Sequence, residues 1–478
     1  MIGRKRGEYS FGRNAARFGG SLNRWDRQDR RDARDGQVGR DKVRRSSGPS
    51  RPSAVSRGQA AILDHPASWR RDAHEPDYLI LVTVVALFAI GILMVYSASA
   101  IPAYANNQDT FALVAPQVTA GMAGFAAMFV LTRLDYRYLR VLSVALLATA
   151  FVLLVVVLIP LPGKLGELSV TLNGSSRWLH LGAILPGPLA RIVPDLSPAE
   201  VTKLALVVYL SHWLANRGGG IKSFFDGAVP YWIITVPFLL LVVREPDLGT
   251  TAVLVLIAFS LYFAAGARLW HAILISVTGA AGGLFVMLDI GHYPVERIRC
   301  FIDPWVDAQN TCFQTVRSLE AITAGGAFGT GLGNDKVVVP QDVNDFIFSV
   351  IAQQMGLVGG LVVILLFVAF GYAGIRTALR APDTFGGLIA AGVTAWICFQ
   401  ALINIGVVVA VVPVTGITLP FVSAGGSSLT VSLAAVGVLL SVSRETVERG
   451  WVSAGADSGR GYGGTYIPGS RRGSIASG

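Results

Sequence analysis

The sequence predicts an all-α, polytopic membrane protein with about ten transmembrane helices and a large extracytoplasmic loop between helices 7 and 8. The 478-residue chain is 52% hydrophobic and only 15% charged. Apolar runs of about 20 residues, the length that crosses a bilayer, recur along it. These runs do not alternate with a period of two. Because backbone polar groups must be satisfied inside lipid, this pattern favours helices over a barrel.

Ten segments are apolar enough to be predicted as spans. They are 78–97, 112–131, 141–161, 199–215, 229–243, 249–266, 272–290, 346–371, 386–412 and 427–442. Arg and Lys residues lie in the first tail and then in every second loop, which predicts that both termini are cytoplasmic. The loops 162–198, 244–248, 291–344 and 413–426 then face outward. We expect one extracytoplasmic site where these four loops converge.

Two tails flank the predicted membrane domain, which covers 78–444. The tails, 1–77 and 445–478, are predicted to be disordered and cytoplasmic because they offer little apolar surface for folding. Most of the formal net charge of +10 lies in the first tail. That tail either binds anionic membrane lipids or a cytoplasmic partner, or serves only as a determinant of topology. Nucleic acid is not an expected partner.

Ionisable residues lie at two predicted membrane boundaries. Asp345 precedes the eighth span, where it can cap the helix, act as a general base toward a hydroxyl nucleophile, or do both. A helix N-terminus lowers a carboxylate's pKa, so we expect Asp345 to be ionised but weakened as a base. Glu200 and Lys203 share one face at the start of the fourth span. This pair either orients the helix or contacts a substrate.

The outward loops carry groups suited to an anionic lipid diphosphate. Arg177 can bind phosphate oxygens while Trp178 packs on a lipid tail or sugar, or the two residues only anchor the interface. Further outward positive charge comes from Arg244, Arg297, Arg299 and Lys336.

The stretch 413–426 contains proline and glycine and cannot form a continuous helix, so it is predicted to break and re-enter. Backbone N–H groups after this break would form an anion-binding helix start, or the segment only packs. The residues concerned are Gly425, Gly426, Ser427 and Ser428.

The chain contains three cysteines, too few for a metal cluster. Cys300 and Cys312 both lie in the long outward loop, where a disulfide could form. Two free thiols are the alternative.

Eight motifs occur in order and together resemble the SEDS family, whose members include FtsW, RodA and SpoVE. They are NGSSRWL at 173–179, PDLGT at 246–250, DPW at 303–305 with Arg299, FQ at 313–314, SLEAI at 318–322, GTGLG at 329–333, DFIF at 345–348 and LPFVSAGGSS at 419–428. Ten transmembrane helices are also the architecture of that family.

The resemblance implies a peptidoglycan glycosyltransferase. Such an enzyme polymerises lipid II, the undecaprenyl-diphosphate disaccharide-pentapeptide, at the outer face of the bacterial cytoplasmic membrane. Asp345 matches the family's catalytic aspartate, Glu200 and Lys203 match its charged pair, and Gln314 is a further substrate contact. The implied partners are a class B penicillin-binding protein and other divisome proteins. No cofactor is expected to bind tightly, and a divalent cation, Mg²⁺ or Mn²⁺, is a candidate for stabilising the leaving diphosphate.

Segments 94–99, 313–314 and 318–322 resemble FtsW more than RodA, which predicts a role in septal synthesis during cell division. A RodA-like elongation polymerase, a lipid II flippase and an inactive scaffold for the penicillin-binding protein remain the alternatives.

Several positions depart from the family pattern, and they alter the polar surroundings of the predicted site. Val343-Asn344 replaces His-Thr before Asp345, Gln353-Gln354 replaces Glu-Glu, Ser197 and Ala199 replace Gln and Ser before Glu200, and Ala424 replaces Tyr. An insert at 185–196 contains three prolines, and the sequence suggests no role for it.

Overall fold

The computed structural model describes residues 75–105, 114–159, 169–172, 175–180, 195–290, 293–334, 336–339 and 344–446. Nearly all of both predicted tails lies outside these residues, as do Val343 and most of the 185–196 insert. The described helices are α1 (Tyr78–Ala105), α2 (Val114–Arg133), α3 (Tyr138–Leu158), α4 (Pro198–Ala215), α5 (Val229–Arg244), α6 (Leu248–Ala264), α7 (Leu269–Ile290), α8 (Tyr293–Ile302), α9 (Phe313–Gly325), α10 (Ile347–Gln354), α11 (Gly356–Arg380), α12 (Thr384–Val408) and α13 (Gly426–Ser443).

Seven helical segments of the described residues are long and apolar enough to cross a membrane. They correspond to α1, α2, α3, α5, α11, α12 and α13. The other three predicted spans coincide with α4, α6 and α7, of which α4 carries the polar Glu200 and Lys203. The structure therefore confirms a multi-pass helical membrane protein, while the count of ten spans stays a prediction.

The predicted outward loop 162–198 contains a short antiparallel hairpin rather than only irregular chain. Strands β1 (Ser169–Leu172) and β2 (Ser175–Leu179) pair with each other, and Leu179 also exchanges backbone hydrogen bonds with Leu196. The all-α class thus describes the membrane domain but not this extramembrane element.

The predicted eighth span is wrong as a single helix, because the chain breaks at Met355 between α10 and α11. A neighbouring loop, residues 326–331, satisfies the backbone groups that the break leaves free. Gln353 and Gln354 carbonyls accept hydrogen bonds from loop N–H groups, and the first N–H groups of α11 donate to loop carbonyls. Gly356 has a φ of 71°, and a Cβ there would lie 2.5 Å from the Ala327 carbonyl oxygen, so glycine is required.

Helix α12 lies among α4, α6, α11 and α13, and α13 packs along α2. Its N-terminus is fixed by Asp383, whose carboxylate accepts a hydrogen bond from the Gly386 N–H at 2.8 Å. Trp396, on the same helix, is fully buried. Because α12 is central and contains no charged residue, its few polar side chains must find partners inside the protein.

Cys300 at the end of α8 and Cys312 before α9 form a disulfide, and Cys398 is free. The disulfide interpretation is therefore confirmed, and the alternative of two free thiols is wrong. Since disulfides persist in oxidising compartments, the bond is consistent with an outward position for this loop.

Close packing of α2 on α13 generates the first prediction. A Cβ at Gly437 would lie 2.6 Å from the Met128 carbonyl oxygen, whereas a Cβ at Gly282 would meet nothing within 4 Å. We expect Gly437→Ala to destabilise the fold by about 1–3 kcal/mol, because backbone atoms cannot move aside cheaply. Thermal unfolding in detergent measures this, with Gly282→Ala as the control. Equal melting temperatures for the two variants would contradict the packing.

The disulfide leads to a second prediction, which concerns thiol labelling. With three cysteines and one bond, denatured protein should take up one maleimide per chain without reductant and three after reduction. Intact-mass measurement distinguishes the two states, and Cys398→Ser should remove the single label seen without reductant.

Candidate functional site

The predicted site is organised around the re-entrant segment, residues 409–425, which joins α12 to α13. This segment contains no helix, so its backbone carbonyls need other donors. Side chains from three helices supply them: Arg297 Nη1 donates to Val414 O at 2.7 Å, Asn404 Nδ2 to Ile417 O at 2.8 Å, Gln400 Nε2 to Thr418 O at 3.0 Å and Gln117 Nε2 to Val422 O at 3.0 Å. The break predicted from sequence is thus present, and the re-entry of the chain stays a prediction.

Asp345 lies in the turn before α10 and faces this segment. The residue is 6% exposed, and its Oδ1 is buried without a hydrogen-bond partner among the described residues. A Cβ at Gly416 would lie 3.9 Å from Asp345 Oδ2, so the carboxylate sits against the segment where glycine leaves room. Its backbone carbonyl accepts a hydrogen bond from Asn404 Nδ2 at 2.8 Å.

The helix-capping interpretation of Asp345 is wrong. Phe346 occupies the N-cap of α10, and no side chain accepts a cap hydrogen bond there. The expected lowering of the pKa is also wrong, because burial raises the pKa of Asp345 from 3.8 to about 6, against smaller opposing effects of its own backbone N–H and of Arg297. The carboxylate is therefore largely ionised at neutral pH and still a competent proton acceptor.

Glu200 and Lys203 form the predicted pair, and the structure extends it. Lys203 Nζ donates to Glu200 Oε1 at 2.8 Å and to Gln400 Oε1 at 2.7 Å, and it lies 5.0 Å from the Trp396 ring centroid. Gln400 Oε1 also accepts from Trp396 Nε1 at 2.8 Å. Since Gln400 Nε2 bonds Thr418 O, the charged pair is linked to the re-entrant segment.

The serines at the start of α13 are held by protein partners. Ser427 Oγ accepts a hydrogen bond from the Ser197 N–H at 2.9 Å, and Ser428 Oγ accepts one from Thr418 Oγ1 at 3.0 Å. Gly425 is the N-cap of α13, and no side chain caps the helix there. The Ser428 hydroxyl therefore holds the re-entrant segment and the Ser427 hydroxyl holds the residue before α4, which supports the packing interpretation for both serines.

Arg177 is not a free cation in the structure. Its Nε donates to the Glu245 carbonyl at 2.9 Å and its Nη2 to the Pro246 carbonyl, both just beyond α5. The guanidinium thus ties the hairpin to the end of α5, and phosphate binding through these same donors would break those bonds. Trp178 is half-buried beside it in β2.

The remaining predicted substrate contacts are spread over the surface. Arg244, Arg299 and Lys336 are exposed, and Gln314 is partly exposed in the first turn of α9. Arg299 lies near Asp307, whose pKa is lowered mainly by hydrogen bonds from Thr311 and Asn310. Among the described residues, the structure brings only Arg297 of the predicted outward cations into contact with the segment that Asp345 faces.

Sequence reasoning missed four buried polar side chains: Gln117, Gln400, Asn404 and Glu245. Glu245 is 1% exposed, and burial raises its pKa to about 9. A spacing of four residues places Trp396, Gln400 and Asn404 on one face of α12, and polar residues in such a helix were a readable signal.

Gln353 and Gln354, which stand where the family has Glu-Glu, lie at the end of α10 and are buried. Ser97 Oγ donates to Gln354 Oε1 at 2.6 Å and accepts from the Gly333 N–H at 2.8 Å. Through Ser97, Gln354 is thus linked to Gly333, just beyond the loop that closes the helix break. The described residues contain no group of three or more His, Cys, Asp or Glu side chains that could hold a metal ion. Because Mg²⁺ is usually bound by one or two carboxylates together with substrate phosphates, a divalent cation stays a prediction.

Fold and site together define a polytopic membrane protein with a desolvated carboxylate held against a re-entrant segment. A family model described as a cell cycle protein, covering FtsW, RodA and SpoVE, matches residues 77–448. The chain belongs to this family, as the resemblance implied.

Relatives match over nearly their whole length. Stage V sporulation protein E of Bacillus subtilis is 39% identical over 77% of this chain and 97% of that protein. A protein of Thioalkalivibrio sulfidiphilus named "probable peptidoglycan glycosyltransferase FtsW" is 38% identical over 81% and 94%.

Two solved structures are similar. A chain in a structure described as the coordination of polymerization and crosslinking by a peptidoglycan synthase complex has a TM-score of 0.62 and 28% identity, covering 78% of this chain and 99% of that one. RodA of Thermus thermophilus has a TM-score of 0.55 and 27% identity, covering 80% and 99%.

The raised pKa of Asp345 generates the third prediction. The folded state binds the proton more tightly than the unfolded state, so the charged carboxylate destabilises the fold increasingly as the pH rises from 3.8 to about 6. Asp345→Asn should therefore stabilise the fold by roughly 3 kcal/mol at about pH 7.5, shrinking below about 1 kcal/mol at about pH 4. Thermal unfolding at both pH values measures this.

Asp307→Asn is the matched control, because Asp307 is partly exposed and its pKa is lowered rather than raised. It should gain no stability at the higher pH. A gain for both variants, or for neither, would contradict the desolvation of Asp345.

Proposed function

We propose that this chain is a peptidoglycan glycosyltransferase that polymerises lipid II into glycan strands at the outer face of the cytoplasmic membrane. The observation that carries the proposal is the buried Asp345 carboxylate, with a pKa raised to about 6, facing the re-entrant segment. Matches to FtsW proteins named for this activity, over nearly their whole length, support it.

In the proposed reaction, Asp345 accepts the proton of the acceptor GlcNAc 4-hydroxyl while that oxygen attacks C1 of the donor MurNAc. The bond between C1 and the diphosphate oxygen breaks, the anomeric configuration inverts, and undecaprenyl diphosphate leaves. A base with a pKa somewhat below the working pH is mostly ionised and still accepts a proton effectively. We assign no step to the candidate divalent cation, Mg²⁺ or Mn²⁺.

Negative charge develops on the leaving diphosphate, and cationic side chains stabilise it. Arg297 is the best-placed candidate, because it donates to the re-entrant segment and its charge acts on Asp345. The exposed Arg244, Arg299 and Lys336 would attract the anionic lipid rather than contact the reacting atoms. Glu200 and Lys203 would act indirectly, by holding the segment through Gln400.

A class B penicillin-binding protein is the proposed partner, supported by similarity to a chain of a peptidoglycan synthase complex. We place the enzyme at the division septum, together with other divisome proteins and with both termini in the cytoplasm. Similarity to FtsW and to the sporulation relative, at 38% and 39% identity, supports this over an elongation role.

The test is polymerisation by purified protein, with and without its penicillin-binding protein partner, of lipid II into glycans resolved on a gel. Asp345→Asn should lower the polymer yield by at least about 100-fold, because the proton acceptor is lost. Asp307→Asn, which changes a partly exposed carboxylate in the predicted outward loop, should retain it. Full polymerisation by Asp345→Asn would contradict the assignment, and no polymer from folded, complexed wild type would favour a flippase or scaffold.

A further inference from the structure

Asn404 binds two segments of the chain through one buried amide group. Its Nδ2 donates to the backbone carbonyls of Asp345 and Ile417, each at 2.8 Å. The residue is 1% exposed. Both N–H donors of the amide nitrogen are thus accounted for by carbonyls that have no helical partner.

These two carbonyls belong to the two parts of the chain that meet where the Asp345 carboxylate faces the re-entrant segment. Asp345 Oδ2 faces Gly416, the residue before Ile417. Asn404 therefore holds both Asp345 and the part of the re-entrant segment that the Asp345 carboxylate faces. Phe346, at the N-cap of α10, has no side-chain cap that could do this instead.

The same face of α12 continues the arrangement one turn earlier. Gln400 donates to the Thr418 carbonyl and accepts from Lys203, so adjacent residues of the re-entrant segment are held by adjacent turns of the helix. α12 packs among α4, α6, α11 and α13, so both amides project from a helix that is held on several sides.

We propose that Asn404 is a positioning residue for Asp345: its amide sets the distance between the carboxylate and the re-entrant segment and keeps the carboxylate out of water. The inference rests on the proposed function, since it assigns Asn404 to that reaction. Without the amide, the turn at Asp345 and the segment move apart, water reaches the carboxylate, and its alignment with the acceptor hydroxyl is lost.

Gln117 provides a matched control. It is also a buried amide, 2% exposed, and it donates to the re-entrant segment at Val422 O, 3.0 Å away. Within the described residues its amide donates to Val422 and not to Asp345. Asn404→Leu and Gln117→Leu therefore each remove an amide that holds the same segment, but only the first removes a bond to Asp345.

The charged groups around Asp345 determine how a change in its titration is interpreted. Arg297, from α8, is the charged group that acts on Asp345 among the described residues. The sequences of α10, α12 and the re-entrant segment contain no charged residue. A change in the titration of Asp345 in the variants therefore reports its hydration and its distance from Arg297.

The experiment measures kcat, KM for lipid II and the pH profile of polymerisation for wild type and both variants. We expect similar losses of thermal stability, but about a 10- to 100-fold lower kcat for Asn404→Leu alone, with KM within about twofold. Its acid limb should move to lower pH by about one unit, because a hydrated carboxylate titrates closer to its ordinary value. Asn404→Ser, which keeps one donor, should recover part of the rate.

A second measurement is independent of turnover. Infrared difference spectra between each protein and its Asp345→Asn counterpart isolate the titration of the Asp345 carboxyl. A lower pKa of Asp345 in Asn404→Leu, but not in Gln117→Leu, would support the inference. This holds even where wild type forms no glycan, because the lack of glycan would overturn only the proposed function. Equal carboxyl titration in all three proteins, or equal kcat losses with an unmoved acid limb, would overturn the positioning role; Asn404→Ser replaces Asn404→Leu in both assays where the latter does not fold.

Discussion

The structure depends on one constraint: irregular backbone between membrane-spanning helices must have every polar group satisfied by the protein. In the re-entrant segment between α12 and α13, four backbone carbonyls accept hydrogen bonds from the side-chain amides of Gln117, Asn404 and Gln400 and from the guanidinium of Arg297. An unpaired carbonyl in such surroundings costs several kcal/mol. Buried polar residues on otherwise apolar helices follow directly from that cost.

The break between α10 and α11 meets the same constraint differently. There the partners are backbone groups of the loop 326–331, which accepts from the start of α11 and donates to the end of α10. Close backbone approach requires glycine, as at Gly356 and at Gly329, whose added Cβ would lie 2.1 Å from the Gln354 carbonyl oxygen. The two irregular segments are therefore held differently, one mainly by side chains and the other by backbone groups.

These supports explain how a carboxylate is kept in an unfavourable state. Asp345 is buried and its Oδ1 lacks a partner within the described residues, which raises its pKa toward neutrality. Such a group destabilises the fold and persists because its surroundings are over-determined by packing and hydrogen bonds. The amides of Gln400 and Asn404 on α12 contribute to that determination, because they hold the re-entrant segment and the Asp345 carbonyl.

The sequence by itself determined the helical membrane class, the positions of the long apolar helices apart from the broken eighth span, and the break before α13, and it identified Asp345, Glu200 and Lys203 as candidate residues. Apolar run length, proline and glycine placement, and charges in an apolar chain are local properties, and they survive without knowledge of the fold. The tertiary structure decided what these residues contact. Arg177 was indistinguishable from a phosphate ligand until the end of α5 was placed beside it.

The pKa of Asp345 likewise went in the opposite direction from the helix-terminus expectation, because burial depends on neighbours distant in sequence. Asn404 could be recognised as a partner of Asp345 only once the fold had joined segments 59 residues apart. Sequence thus identifies groups that need partners, and only the folded chain decides which partners they receive.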